Sequence, residues 1–377
     1  MTFASACRLR LRRAFAAGAS LALALVVVSA QAALPLDKLR LPAGFRVELL
    51  TDAVPDARQM ALGGHDDKSG IVYVGSTSGK VYAVQYGERG TGAVHVVAGG
   101  LSVPSGVAWR DGALFIGALG RVLRLDGIDS RLAAPPKPVV VSDRFPADAH
   151  HGRRFIAFGP DGKLYVPLGA PCNVCEKPGF GKLIRMNADG SDFQDVAAGI
   201  RNTVGFDWQP RTQTLWFTDN GRDLLGDNVP SDELNRVDHP GENFGFPYCF
   251  GGDVLDPQFG KGHPCSEFAP PALKLGAHVA PLGMRFYTGT LFPASYRGAI
   301  FVAEHGSWNR SSKSGYRVVV VHLNGSKVRD QQPFLTGFLD GQTTLGRPVD
   351  VQPLQDGSLL VSDDDNGAIY RISYSHP

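Results

Sequence analysis

The sequence predicts an all-β fold, a six-bladed β-propeller. Three observations predict it: a strand–turn–strand motif recurs six times, its turns carry hairpin chemistry, and the chain shows no long helical period beyond residue 32. The first copy runs Gly70 to Gly75 and Gly79 to Val84. The second runs Ser105 to Trp109, Asp111 to Ile116 and Arg121 to Leu125. The third is Arg154 to Gly159, Asp161 to Val166 and Lys182 to Met186. The fourth is Thr203 to Trp208, Thr214 to Asp219 and Glu233 to Val237. The fifth is Leu282 to Tyr287, Gly298 to Ala303 and Tyr316 to Val320, and the sixth Pro348 to Val351, Asp356 to Val361 and Ala368 to Ile372.

Each copy joins β-branched and aromatic segments of period 2 through Asp-Gly or an equivalent turn, as hairpins require. A lone blade cannot bury both faces, so such repeats close radially around a channel and hide their edges. A β-helix is disfavoured because its repeats are shorter and more regular. The segment Phe45 to Leu50, after Pro42, reads as an extra strand that completes the last blade and closes the ring. Spacing is even except at residues 238–279, an insertion between the fourth and fifth copies that holds Cys249 and Cys265. Long loops on a rigid scaffold carry function or cover it, and this one is expected to wall the site.

Residues 1–32 read as a signal peptide, leaving 33–377 as one propeller domain. Arg8, Arg10, Arg12 and Arg13 precede an apolar run from Ala14 to Val28, and Ala30-Gln31-Ala32 supplies the small-residue cleavage pattern. Arg12-Arg13 also suggests a twin-arginine signal, although an ordinary basic start is the preferred reading. No later run approaches the roughly 20 apolar residues of a membrane helix, so no membrane span and a periplasmic or secreted location are expected. Removing the segment lowers 38 Lys and Arg to 34 against 36 Asp and Glu, turning +2 into −2, a balance that offers no case for nucleic acid. Cys172, Cys175, Cys249 and Cys265 would then lie in an oxidising compartment. Sequence proximity alone pairs Cys172 with Cys175 and Cys249 with Cys265; four cysteines allow three connectivities, and a redox CxxC or zinc are the alternatives.

Polar clusters recur where one repeat position meets the next turn: Arg58-Gln59, His150-His151, Arg201-Asn202, Asp219 to Asp223, Glu304 to Arg310, Arg347 and Asp363 to Asp365. In a propeller, equivalent positions converge on one mouth of the channel. Several arginines facing one another imply an anionic ligand. His151 is the candidate general base because imidazole titrates near neutral pH, with Asp148 close enough in sequence to orient it. Asp219 to Asp223, with Asp227, Asp232 and Glu233, offers oxygen ligands for a hard cation without EF-hand spacing. No dinucleotide fingerprint, P-loop or Gly-x-Ser-x-Gly stands in its required context.

The runs Gly169 to Glu176, Gly199 to Trp208, Trp216 to Asp223, Phe244 to Cys249 and Ala303 to Arg310 resemble the quinone-dependent L-sorbosone dehydrogenase family. More distantly the chain is similar to the soluble glucose and aldose dehydrogenases, six-bladed propellers that bind pyrroloquinoline quinone (PQQ) and Ca²⁺. The resemblance implies oxidation of a sugar or sugar-derived alcohol or aldehyde, with electrons passed on to an external quinone or cytochrome. It makes His151 the base that takes the hydroxyl proton while hydride passes to quinone C5. It places Arg201, Asn202, Arg222, Arg347 and Asp363 at the cofactor, and Gly221 and Arg222 where main-chain carbonyls hold Ca²⁺. Glu233 with the Phe244 carbonyl would hold a second, structural Ca²⁺. Where the glucose enzymes have a lysine this chain has His305 to Arg310, so Trp308, Asn309 and Arg310 are assigned stacking and charge roles, and Val349 stands in place of a second arginine.

Two readings from other classes compete. A calcium-dependent propeller lactonase would use carboxylates on a catalytic metal, and a non-catalytic propeller would leave the channel mouth chemically idle. Neither needs the arginine-rich mouth.

Overall fold

The structure, a computed structural model, describes residues 34–375 apart from residues 67 and 88–90. The expected signal peptide lies outside the described residues. Among those described there is no α-helix, only two short 3-10 turns, and no helix long and apolar enough to cross a membrane.

Six antiparallel sheets form the blades. Blade 1 is Ala57–His65, Gly70–Ser76, Val81–Tyr86 and Thr91–Ala98, and blade 2 is Gly106–Arg110, Ala113–Ala118, Arg121–Asp126 and Val139–Ser142. Blade 3 begins with Ala157–Phe158, Leu164–Leu168, Lys182–Met186 and Gln194–Ala198, and blade 4 is Phe206–Trp208, Leu215–Asp219, Ser231–Arg236 and Leu273–Ala277. Blade 5 is Pro281–Phe286, Ile300–Glu304, Arg317–Asn324 and Lys327–Leu335. Blade 6 is Pro348–Pro353, Leu359–Asp363 and Ala368–Tyr374, with Phe45–Thr51 as its fourth strand. That last strand pairs antiparallel with Ala368–Tyr374, Phe45 opposite Tyr374, so the ring closes through the strand expected from sequence.

The insertion is less loop-like than its sequence suggests. Glu242–Asn243 joins blade 3 as a fifth, parallel strand, and Leu273–Ala277 is the outer strand of blade 4. Leu275 and Ala277 alternate inward there, a two-residue period too short to stand out in sequence.

Period-2 alternation sends successive residues into different interfaces. Ile71 and Tyr73 pack with Val107, Leu114 and Ile116 of blade 2, whereas Val72 and Val74 pack with Leu360 and Ile369 of blade 6. The core is therefore a set of layers between blades, and each strand contributes to two of them. Polar side chains pin the first strands together: Gln59 Oε1 accepts from Val107 N (3.0 Å) and Ile156 N (2.9 Å), Asp207 from Phe286 N (2.8 Å) and Asp350 from Met60 N (2.8 Å). Backbones approach closely here. A Cβ on Gly205 would stand 2.0 Å from the Leu282 carbonyl oxygen, so any side chain would push blades 4 and 5 apart.

Candidate active site

The turns leading into first strands and out of second strands open onto one cavity of about 400 Å³. Blade 1 supplies Arg58, and the segment before blade 3 supplies His151 and Arg153. Blade 4 contributes Arg201, Asn202 and Asn220, blade 5 His305 to Asn309, and blade 6 Arg347 and Asp364. Blade 2 supplies none of the lining, in keeping with the apolar turn Gly117 to Gly120.

His151 is held with a positive φ of 50°, and its Nδ1 lies 2.7 Å from the Ala170 carbonyl oxygen. A carbonyl only accepts, so Nδ1 carries the proton and Nε2 keeps its lone pair. Burial, reinforced by Arg201, pushes the imidazole down to about 2, so the ring is neutral across the physiological range. Asp148 does not orient it. That carboxylate is exposed, 3.5 Å from Lys177 Nζ, and the orienting partner is a main-chain group that no sequence motif announces.

Arg201 is buried and uses four of its five N–H donors, on Asn173 O (2.8 Å), Asn173 Oδ1 (2.8 Å), Asn220 O (3.2 Å) and Asp223 Oδ2 (2.8 Å), which leaves one Nη1 hydrogen. Arg58 Nη1 donates to Asp364 Oδ2 (2.7 Å), while Asp364 Oδ1 accepts from His305 Nε2 (2.8 Å). Burial works to raise the Asp364 carboxyl, but His305 and Arg58 outweigh it and hold it well below the usual carboxylate range. Burial pushes His305 down to about 4 despite Asp364.

Neither of the other two arginines has its side chain hydrogen-bonded to a carboxylate among the described residues. Arg347 donates to the carbonyls of His305 (3.2 Å) and Gly306 (2.9 Å), and Arg153 has no hydrogen-bond or ion-pair partner among the described residues. Asp232 restores the balance only in part, since burial pushes it up to about 7 against the backbone N–H groups of Gly221 and Ala280 (2.8 Å each) that favour its charged form. The cavity thus holds uncompensated positive charge. Both polar atoms of the Asn309 amide are buried without a partner beside it, and Trp308, also lining it, is 69% exposed. A buried amide that satisfies neither donor nor acceptor is costly unless a ligand completes it. An exposed indole offers a flat face to a ring.

His151, Arg201, Asn202, Gly221, Trp308, Asn309 and Arg347 are brought together at this cavity. Three expected cofactor residues are not among its lining. Arg222 pairs with Asp256 of the insertion, and Arg310 turns to the carbonyls of Ser312 and Ala277. Asp363 is fully buried and accepts from Arg347 N (2.9 Å) and Asn366 Nδ2 (2.7 Å), bracing the turn whose next residue, Asp364, faces the cavity. Glu233 accepts from Gly251 N (2.6 Å) and Asn235 Nδ2 (2.8 Å), and Phe244 packs in the core between blades 3 and 4. No group of three acidic, His or Cys side chains placed to hold a metal exists among the described residues. Sequence reasoning missed Arg153 and His278. The adjacent Arg154 is buried on the Pro167 and Pro146 carbonyls, and nothing in the dipeptide says which arginine turns inward.

Both expected disulfides are present, Cys172–Cys175 and Cys249–Cys265.

A family profile described as TrAA12-like matches residues 182–375. An uncharacterized protein of Borreliella burgdorferi is 34% identical over 352 residues, covering 89% of this chain and 91% of its own length. A pyrroloquinoline quinone-dependent pyranose dehydrogenase of Coprinopsis cinerea is 33% identical over 122 residues, 27% of this chain and 16% of that protein. Among solved structures, the Trichoderma reesei carbohydrate-active enzyme of family AA12 superposes with a TM-score of 0.77 at 18% identity, over 89% of this chain and 98% of that one, a likeness of fold. The chain belongs to the TrAA12-like family.

Proposed function

We propose that the protein is a quinoprotein sugar dehydrogenase that binds PQQ in this cavity and oxidises an aldose or a sorbosone-type sugar derivative. The observation that carries the reading is a cavity where neither Arg153 nor the Arg347 guanidinium is hydrogen-bonded to a carboxylate among the described residues, beside a neutral, oriented His151. A tricarboxylic planar quinone fits that lining: Arg153, Arg347 and the remaining Nη1 hydrogen of Arg201 would meet its carboxylates, the orphaned Asn309 amide its polar edge and Trp308 its ring. When bound, the quinone supplies a two-electron acceptor for the hydride that leaves the sugar carbon. His151 Nε2 takes the hydroxyl proton of the same carbon, and the Nδ1–H bond to Ala170 holds the ring in the tautomer that can do so. Burial, and after it the Arg201 charge, keeps that ring unprotonated in the resting site.

Calcium belongs to the proposal through main-chain oxygens near Gly221 and Arg222 and through the quinone itself, since Asp219 and Asp232 spend both carboxylate oxygens on backbone N–H groups. The same engagement disfavours a lactonase, which would draw on grouped free carboxylates. A periplasmic or secreted site of action, with a quinone or cytochrome as electron acceptor, completes the reading. The test is to titrate the apo-protein with PQQ, with and without Ca²⁺, following the cofactor spectrum and dye reduction across aldoses and sorbosone. The expected result is tight binding and sugar-dependent reduction, with Asn202 and Arg201 intact and reduction lost in His151→Ala. No binding at micromolar quinone refutes it and leaves the lactonase or a binding module.

A further inference from the structure

The base and the buried arginine of the cavity are held by the same short loop, Gly169 to Cys175, which the Cys172–Cys175 bridge closes. Ala170 uses both main-chain groups: its carbonyl orients His151 (2.7 Å), and its N–H donates to the Arg201 carbonyl (2.8 Å). Asn173, inside the bridged turn, accepts from Arg201 Nε through its carbonyl and from Arg201 Nη2 through Oδ1, both at 2.8 Å. Asn173 Oδ1 also accepts from Asp223 N (2.8 Å), and its Nδ2 donates to Asp223 O (3.1 Å). Asp223 Oδ2 in turn pairs with Arg201 Nη2 at 2.8 Å. One side chain therefore fixes both halves of the ion pair.

The loop's other face is apolar. Ala170, Cys172 and Val174 pack on Phe246, Phe250 and Val254 of the insertion, so the loop is clamped between a hydrophobic wall and the cavity cations. Yet the Asn173 carbonyl and side chain reach Arg201 only while a four-residue turn keeps its shape, and no regular strand or helix supplies that shape. The bridge does.

We propose that Asn173 is a positioning residue for Arg201 and Asp223, and that the Cys172–Cys175 bridge is the lock that keeps it in register with the base-orienting carbonyl of Ala170. The wall built by the insertion would then act on the cofactor site at second hand, through this loop. Without the lock, Arg201 keeps its charge but its remaining Nη1 hydrogen loses its fixed direction toward the cavity, and quinone affinity falls while the blades stay intact.

The inference rests on the quinone reading, and the experiment separates the two. PQQ dissociation constants are measured by spectral titration for the unaltered protein, Asn173→Leu, Asn173→Asp and Cys172→Ser/Cys175→Ser, with apo-protein melting recorded for each. Asn173→Leu and the double serine variant are expected to bind about tenfold to a hundredfold more weakly, the range for losing hydrogen bonds to a charged group. Asn173→Asp keeps the acceptor for the guanidinium but loses the Nδ2 bond to Asp223 O and adds negative charge beside Arg201, so it is expected to recover only part of that affinity, and apo melting to stay near that of the unaltered protein. Wild-type affinity in Asn173→Leu, or a loss of affinity matched by a loss of apo melting in every variant, overturns the inference. A protein that binds no quinone in any form, the unaltered one included, refutes the underlying reading and the inference with it.

Discussion

The sharpest test of the base assignment is a single methyl group. A Cβ built on Gly169 would lie 2.7 Å from His151 Cβ and 2.9 Å from the His151 carbonyl oxygen, with Asn202 Oδ1 at 3.2 Å. Ordinary contact begins near 3.4 Å, so His151 must retreat by about 0.7 Å in Gly169→Ala. Gly169 does not occupy the left-handed region, so the replacement adds no backbone strain and the effect is steric. His151 sits at positive φ against this glycine, and its Nδ1 bond to Ala170 lies one residue further on, so the retreat also loosens the bond that sets the tautomer. Displacement of a reacting group by about 1 Å costs on the order of a hundredfold in rate. The assay is steady-state dye reduction with reconstituted protein, alongside quinone titration and apo-protein melting. The expected result is a kcat lowered about a hundredfold with a smaller loss of quinone affinity, because the added methyl meets His151 most closely, Asn202 less closely and neither Arg153 nor Arg347. A Gly169→Ala protein with unaltered kcat refutes the placement of His151 at the reacting atoms.

Two further outcomes concern the scaffold. Phe45 closes the ring with aromatic rings of Phe292, Phe334 and Tyr374 at 4.8, 5.0 and 4.8 Å, so Phe45→Ala should cost about 3 kcal/mol, near the low end for a Phe that is only partly buried; denaturant unfolding showing no loss would mean that the closing strand contributes little. Burial raises the carboxyls of Asp219, Asp232 (to about 7) and Glu233, so the folded chain retains protons that the unfolded chain gives up near pH 4. Their stabilisation is present on the acid side and lost as pH rises through about 7, and the apo-protein should melt higher at pH 6 than at pH 8.5, an order that thermal scans showing the reverse would contradict.

The propeller was legible because its signal repeats. Six copies of a β-rich hairpin with Asp-Gly turns leave little choice of architecture, and the closing strand at Phe45 followed from the need to hide an edge. The fourth strand of blade 4 was not legible as such. Leu273–Ala277 follows a segment with no regular spacing, and only pairing with Ser231–Arg236 makes it a strand. Strand propensity says little when three or four inward residues decide the matter.

The site divides along the same line. Repeat position tells which turns meet at the mouth, and His151, Arg201, Asn202, Trp308, Asn309 and Arg347 all arrive there. It does not tell which way a side chain leaves its turn. Asp363 and Asp364 are neighbours, yet one braces the turn and the other faces the cavity between Arg58 and His305. Arg153 and Arg154 divide in the same manner, and Arg222 points to Asp256 although Gly221 beside it lines the cavity. A half-turn of backbone separates each pair, and that half-turn is set by main-chain hydrogen bonds, such as Arg347 N to Asp363 and Gly221 N to Asp232, whose donors carry no side-chain identity. The orientation of His151 is the extreme case. Its partner is the Ala170 carbonyl, a group every residue possesses, so the sequence could mark the base but not what holds it.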